Sequence, residues 1–337
     1  MPQINGQEVG PIGFGMMGLT WRPEPCPQEQ AFETFRAALD AGCNFWNGGE
    51  FYGPASYNSL VLIARYLEKY PEDADRFVLS VKGGIDTSGA VPRPDGSPEG
   101  VRRSLDNILR QLEGRTHHGG RVDVFECARR DPTVPLAQTL GTLQTEYAAT
   151  GKLGGIALSE VSAATIHEAV ATGVPIAAVE VEVSMWSTDV FTNGVAAACA
   201  QYDIPMVAYS PIGRGMLTGQ FKSIDDLPKG DFRRTHPRFQ PENFPVNLKL
   251  VAEVQKLAAA KGCTPAQLAI NWVRCLSRRP GMPKTIIPIP GATTAERVRE
   301  NAKVIDLTDA EMDAIDALLA TIEVKGGRYP DGAPMNT

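Results

Sequence analysis

The stretch Phe45-Trp46-Asn47-Gly48-Gly49-Glu50-Phe51-Tyr52-Gly53 decides how the rest of this chain is read. An apolar strand end runs into two glycines, and a tyrosine follows where the backbone has just turned. Strand residues pack, whereas residues at a strand's C-terminal end are free to do chemistry. Further on, Phe77-Val78-Leu79-Ser80-Val81 ends in the same way, with Lys82 standing before Gly83-Gly84. Two apolar strands thus deliver a phenol and an ammonium to equivalent ends. A free tyrosine titrates near ~10, too high for an efficient proton donor at neutrality unless a positive neighbour lowers it. Lys82 is the candidate neighbour. An ammonium about 4 Å from the phenol oxygen, at an effective dielectric near ~20, favours tyrosinate by roughly 4 kcal/mol, which predicts a phenol near ~7.

Outward from these two strands, apolar runs and helical periods alternate along the chain. Strands are predicted over Val9 to Phe14, Asn44 to Asn47, Phe77 to Val81, Val122 to Glu126, Gly154 to Leu158, Ile176 to Glu180, Ile204 to Tyr209 and Thr285 to Ile289. Helices are predicted over Gln28 to Ala41, Tyr57 to Tyr70, Glu99 to Leu112, Leu136 to Thr150, Ala163 to Thr172, Gly194 to Gln201, Val246 to Lys261, Pro265 to Cys275 and Thr294 to Lys303. Eight such units argue an α/β fold, a (β/α)8 TIM barrel built from the chain as a single domain, residues 1–337. Thr293-Thr294-Ala295-Glu296 reads as the capping box of the last barrel helix. An extra helix, Asp309 to Thr321, capped by Thr308 and Glu311, lies outside the count, and the residues after Lys325 read as a mobile tail.

The hydrophobic fraction, 43% of 337 residues, suffices for a large core. Lysine plus arginine number 33 against 39 acidic residues, a net charge of -6, which argues against nucleic acid or an acidic membrane as partner. The start, Met1-Pro2-Gln3-Ile4-Asn5-Gly6, has no basic or apolar targeting pattern, and no apolar run approaches bilayer length, so a cytoplasmic protein is expected. Six cysteines lie scattered without a Cys-x-x-Cys pair, and His117-His118 sits in a polar turn, so no metal site is expected. Gly13-Phe14-Gly15-Met16-Met17-Gly18 matches the dinucleotide fingerprint in form only. That fingerprint must open a helix, and Pro23, Pro25 and Pro27 stand where the helix should run.

A barrel gathers its strand ends at one mouth, here Trp21, Asn47, Tyr52, Lys82, Glu126, Ser159, Glu160, Glu180, Tyr209 and Ser210. Any one of these is equally well a satisfied rim group; the set carries the argument. In order along the chain come Gly-Phe-Gly with Trp21 behind it, Phe51-Tyr52-Gly53, Lys82, Gly151-Lys152-Leu153 leading to Ser159, Ala208-Tyr209-Ser210-Pro211-Ile212-Gly213-Arg214-Gly215, and Ile289-Pro290-Gly291-Ala292 with Arg297, Glu300 and Asn301. This order resembles the aldo-keto reductase superfamily over nearly the whole chain. Leu19 to Pro25, Asn47 to Pro54, Lys82-Gly83-Gly84 and Asp123 to Arg129 resemble its fungal pyridoxal reductase branch.

The resemblance implies reduction of an aromatic aldehyde, pyridoxal to pyridoxine, by NADPH, with Tyr52 as proton donor and Lys82 tuning it. Of the superfamily's Asp, Tyr, Lys and His set, only Tyr52 and Lys82 are retained; Asn47 stands at the Asp position and Ala128 at the His position. By the same resemblance Tyr209 stacks under the nicotinamide, and Ser159, Glu160 and Glu180 meet its carboxamide. Ser210, Ile212, Gly213 and Arg214 belong to a loop around the pyrophosphate. Thr293, Arg297, Glu300 and Asn301 surround the adenosine end, with Arg297 on the 2'-phosphate. Trp21, Phe51, Ala128 and Arg129 line the substrate side, where pyridoxal's ring hydroxyl is expected to polarise the carbonyl in place of the missing histidine. Two other readings stay open: a Schiff-base enzyme using Lys82, and a nicotinamide-binding regulatory subunit without turnover.

Overall fold

Period two in the strands and period 3.6 in the segments between them sort this chain into two apolar cores, one inside a closed sheet and one around it. The computed structural model describes residues 1–337 apart from Ala90, Pro334 and Asn336, and the side chains of His117 and His118, singled out from the sequence, also lie outside the description.

Among the described residues one sheet has eight parallel strands in sequential order: β1 (Phe14–Gly15), β2 (Phe45–Gly49), β3 (Val78–Gly83), β4 (Val122–Cys127), β5 (Leu153–Ser159), β6 (Ile176–Glu182), β7 (Met206–Tyr209) and β8 (Ile286–Ile289). The ends meet: Gly13 N donates to Pro288 O at 2.9 Å, Gly15 N to Pro290 O at 3.1 Å, and Gly15 bridges Gly291. This seam explains the glycines of the false fingerprint. A Cβ on Gly13 would stand 2.8 Å from Phe45 O and one on Gly15 would stand 2.8 Å from Ile289 O, so the strands close only where no side chain intervenes. The helix after them runs only from Met17 to Thr20.

Helices α1 (Gln28–Asp40), α2 (Ser59–Lys69), α3 (Pro98–Leu112), α4 (Leu136–Thr142), α5 (Ala163–Ala171), α6 (Val195–Gln201), α7 (Phe244–Lys261), α8 (Pro265–Cys275) and α9 (Ala295–Asn301) follow the strands, and α10 (Asp309–Thr321) is the extra one. Outward strand residues pack on them; Trp46, for example, stacks on Phe35 and Phe77 with ring centroids 4.8 and 4.1 Å away. The inward set is Phe45, Val78, Val124, Ala157, Ala178, Val207, Ile287 and Ile289, with Ile4 and Val9 beneath. Counting on by twos from that layer reaches Asn47, Lys82, Glu126, Ser159, Glu180 and Tyr209. The same alternation that fills the barrel therefore aims the polar residues into its mouth.

Four expectations need correction. The first strand is two residues, not Val9 to Phe14, because Gly10 and Pro11 interrupt the run, and an antiparallel hairpin of Gln3–Ile4 and Gln7–Glu8 precedes it. The fourth helix leaves α-geometry at Leu143, continuing to Ala148 in wider turns. The cap of α9 is Thr294, whose Oγ1 accepts from Arg297 N at 3.2 Å; the box expected from Thr293 to Glu296 is displaced by one residue, and position N3 then holds an arginine, which has no acceptor to return. The cap of α10 by Thr308 and Glu311 is present as a reciprocal box.

The last correction is the tail. Asn247 brackets Lys325, accepting from its N at 2.8 Å and donating to its O at 2.9 Å, and Arg238 donates to Gly326 O. Thr337 bonds the backbone of Glu160 and Ser162. The segment expected to be mobile is tied across the barrel mouth by polar side chains that the sequence hides. Among the described residues no helix is long and apolar enough to cross a membrane.

Candidate active site

Register builds the centre of the site. Lys82 on β3 pairs with Gly49 of β2 on one side and Glu126 of β4 on the other. Lys82 Nζ lies 3.2 Å from Glu126 Oε1 and in direct contact with Glu180 Oε1, contributed by β6 from across the barrel. Asn47 Nδ2 donates to Glu180 Oε2 at 2.6 Å. Exposure is 5% for Lys82, 0% for Glu126, 1% for Glu180 and 3% for Asn47, so these charges are compensated by one another and not by solvent. Burial disfavours the charged form of Lys82, but Glu126, Glu180 and Tyr52 outweigh it and hold its pKa above an ordinary lysine's. Glu126 is raised well above the usual carboxylate range by burial and then by the charge of Glu180, with Lys82 opposing.

Tyr52 follows β2 and is itself 7% exposed. Its backbone O accepts from Thr20 Oγ1 at 2.6 Å, which pins the turn after the two glycines. The expected phenol near neutrality is overturned for this resting state. Burial pushes Tyr52 up, Lys82 pulls it down, and Glu180 and Glu126 push it up again, to about 12. Single-neighbour arithmetic failed because it left out burial, the largest effect on the phenol, and the carboxyl groups of other strands that share the lysine's charge. Around the phenol stand Trp21, tilted at 5.7 Å, and Phe51, edge-on at 5.2 Å, with Trp21 and Phe51 edge-to-face at 5.8 Å. Trp21 is 47% exposed, a large apolar face left toward the mouth.

A second polar cluster lies beside the first. Glu160 follows β5 with φ at 52°, and Glu182 ends β6. Arg328 grips both: its Nη2 lies 3.0 Å from Glu160 Oε2 and its Nη1 3.3 Å from Glu182 Oε2. Arg214 holds Glu182 Oε2 at 3.0 Å. Tyr209 Oη donates to Glu160 Oε1 at 2.8 Å and meets Tyr329 Oη at 2.7 Å. Burial raises Glu160, yet Arg328, Arg129 and Tyr209 outweigh it, and its pKa falls below the ordinary value. The Tyr329 ring lies under the guanidiniums of Arg214, at 4.4 Å, and Arg129, at 5.5 Å. Ala128 is buried, and its carbonyl accepts from Arg129 Nη1.

Two buried groups remain without partners where the sequence places a dinucleotide. Ser159 Oγ, at the end of β5, and both amide atoms of Asn301, at the end of α9, make no hydrogen bond. Buried polar atoms left open in this way fit a polar ligand that completes them, so the residues present suit NADPH at the carboxamide and adenosine ends. Between them the loop after β7 carries positive φ at Ser210, Gly213, Arg214 and Gly215, a tight path that only glycine follows without strain. Arg297, near the start of α9, pairs with Glu300 at 2.6 Å on the protein surface. Thr293 presents its carbonyl to Gln30 Nε2 at 2.7 Å. Glu160 and Glu180, assigned to the carboxamide, are both engaged elsewhere: Glu160 by Arg328 and Tyr209, Glu180 by Lys82 and Asn47. Of the three, only Ser159 has a buried polar atom left open.

Residues 11–320 match the model of the Aldo/keto reductase family. The chain belongs to that family. It is 41% identical over 339 residues to a Schizosaccharomyces pombe protein named "Probable pyridoxal reductase 2", covering 98% of this chain and 97% of that one. It is 34% identical over 337 residues to "Aldo-keto reductase yakc [NADP(+)]" of the same organism, covering 98% and 94%. The solved structure of glycerol dehydrogenase AKR11B4 from Gluconobacter oxydans superposes with a TM-score of 0.80 at 23% identity over 96% of both chains, a likeness of fold. In this chain the lysine's counter-charge comes from Glu180 and Glu126, with an asparagine at residue 47. Sequence reading placed Glu126 at the mouth without a role and missed Glu182, Arg328 and Tyr329. Glu182 was recoverable, since it lies two residues beyond Glu180 on the same strand face.

Proposed function

We propose that this aldo/keto reductase reduces pyridoxal to pyridoxine with NADPH, as a single barrel domain in the cytoplasm, and that Tyr52 delivers the proton. The observation that carries the reading is the phenol of Tyr52 buried within the field of Lys82, with the exposed face of Trp21 beside it. NADPH, when bound, supplies the hydride. Tyr52 donates to the oxygen of the aldehyde as negative charge develops there, and Lys82 favours the tyrosinate that remains. The high resting pKa keeps Tyr52 protonated before reaction, so the donor is loaded. Trp21 and Phe51 offer apolar faces to an aromatic aldehyde. Ser159 holds the carboxamide, Asn301 the adenosine end, and Arg297 the 2'-phosphate, exchanging its Glu300 partner for a phosphate in charge-assisted contact. The relatives' names support the choice of pyridoxal and of NADP over other substrates and carriers.

The test is NADPH oxidation, followed by loss of the reduced nicotinamide absorbance, with pyridoxal, pyridoxal 5'-phosphate and simple aromatic aldehydes. The highest kcat/KM for pyridoxal is the expected result. Turnover of the simple aldehydes with none of pyridoxal would reject the substrate, and NADPH binding without any turnover would instead favour the regulatory role.

A further inference from the structure

Each turnover removes one proton from Tyr52, and the buried carboxyl groups around Lys82 stand where a replacement can be held. Glu126 and Glu180 face one ammonium, Lys82, from neighbouring and opposite strands. With both carboxylates ionised the cluster would carry a net negative charge at 5% exposure or less. Two carboxyl groups that share a buried site do not both ionise, because each anion raises the free energy of the other. The hydrogen bond from Asn47 decides which one is the anion: Asn47 Nδ2 and Lys82 both donate to Glu180, so Glu180 is the acceptor. Glu126 faces Lys82 at 3.2 Å and the Glu180 carboxylate, with no second donor such as Asn47, and keeps the proton. Burial and the Glu180 charge act in the same direction on Glu126.

We propose that Glu126 and Glu180 hold one proton between them and return it, through Lys82, to Tyr52 after each turnover. The inference rests on the reading of Tyr52 as proton donor. In sequence, the O–H bond of Tyr52 breaks as its proton joins the product oxygen. The Lys82 ammonium then gives a proton to the tyrosinate, and the Glu126 carboxyl gives its proton to the Lys82 amine. After product leaves, the Glu126 carboxylate takes up from solvent the one proton that the net reduction consumes. No group of the cluster is oxidised or reduced; the aldehyde takes its electrons with the hydride. Glu126 and Glu180 act through Lys82 and are positioning residues, while Tyr52 alone meets the substrate.

The same count explains residue 47. An aspartate there would set a third carboxylate against one ammonium, whereas Asn47 adds a donor and no charge. The titratable and charged groups that face the pair are Lys82 and Tyr52, with Cys127 next to Glu126 in sequence; the Tyr209 ring lies 5.7 Å from Lys82 Nζ. Burial pushes Cys127 up to about 12, so it holds its own proton and does not compete for the shared one.

Infrared spectra of the resting protein, without nucleotide or aldehyde, test the proton directly. At neutral pH the wild type should show the carbonyl stretch of a protonated carboxyl group, and Glu126→Gln should lose it. Glu180→Gln should lose it as well, because Glu126 then becomes the only anion beside Lys82. Asn47→Asp should add a second protonated carboxyl, and combining it with Glu180→Gln should return the count to one. Absence of the band in the wild type, or its persistence in either glutamine variant, overturns the proposal. These spectra need no substrate, so they stand whether or not pyridoxal is the aldehyde reduced. Kinetics supply the second readout, with whichever aldehyde turns over fastest: Glu126→Gln should keep the single-turnover rate within about twofold and lower steady-state kcat at least about tenfold. Equal losses in both rates would mean that Glu126 only shapes the site, and would overturn the return path.

Discussion

Arg328 sets the stability of the barrel mouth, and its removal gives a magnitude that can be worked out. Its guanidinium is the partner of Glu160 through two hydrogen bonds, at 3.1 and 3.0 Å, and of Glu182 through one, at 3.3 Å. In Arg328→Ala, Glu182 keeps Arg214, but Glu160 loses its ion-pair partner and keeps hydrogen bonds from Tyr209 and the backbone N of Glu182, with the charge of Arg129 nearby. Breaking a buried pair by deleting one partner costs about 3–5 kcal/mol, since it strands the other charge. Unfolding entropy of about 2.1 cal/mol/K per residue over 337 residues is ~0.7 kcal/mol/K, so Tm should fall by about 4–7 °C. The sign of the pH dependence follows from Glu160, whose pKa is lowered in the fold because Arg328 overcomes its burial. A depressed carboxyl contributes stability that is present above its unfolded pKa, ~4.3, and is lost as pH falls through the folded value. The loss in Arg328→Ala should therefore be full near pH ~7 and should shrink below pH ~4. Calorimetry of wild type, Arg328→Ala, Glu160→Gln and the double variant across that range is the assay. Arg328→Lys should recover only part of the loss, having one charge centre and no fork. A Tm within about 1 °C of wild type at neutral pH would refute the reasoning, and so would a loss that grows as the pH falls.

In Tyr52→Phe the proton donor is gone while the ring remains, so kcat should fall by at least about 100-fold with NADPH affinity nearly unchanged; near wild-type turnover in that variant would reject the assignment. Arg297→Ala should weaken NADPH at least about tenfold more than NADH by titration, since only NADPH carries the 2'-phosphate, and equal losses would assign Arg297 to α9 alone. Gly15→Ala brings a methyl group to 2.8 Å from Ile289 O at the barrel seam and should cost about 1–3 kcal/mol in denaturant unfolding; a neutral result would show that the seam yields freely.

The barrel was legible because its signals are local. Each strand is a short apolar run, each helix a 3.6-residue period, and a capped start such as Thr308 with Glu311 can be read from four residues. Tyr52 and Lys82 were legible for the same reason, standing at strand ends beside glycines. The tail was not. Its Gly326-Gly327 and its prolines signal an unstructured chain, and what fixes it is Arg328 meeting carboxylates at 160 and 182 and Tyr329 meeting Tyr209, pairings with no sequence pattern. The hairpin before β1 was missed because strands of two residues have no period to detect.

The phenol's pKa shows why a site can be located from sequence and still be misjudged in its electrostatics. Sequence places Lys82 near Tyr52 through two adjacent strands, and a single charge then seems to act alone. The fold brings Glu180 from 98 residues away and Glu126 from the next strand to the same ammonium. Burial raises the phenol most, and the one negative charge that the two carboxyl groups share both stabilises Lys82 in its charged form and cancels part of the field that Lys82 exerts on the phenol. The position of the lysine follows from local sequence, but the field at Tyr52 is a property of the closed barrel, because only closure sets β6 opposite β3. Asn47 belongs to the same balance. An asparagine where the resemblance implies an aspartate looks like the loss of a functional group when read alone, and becomes a charge adjustment once Glu180 is seen to accept its hydrogen bond.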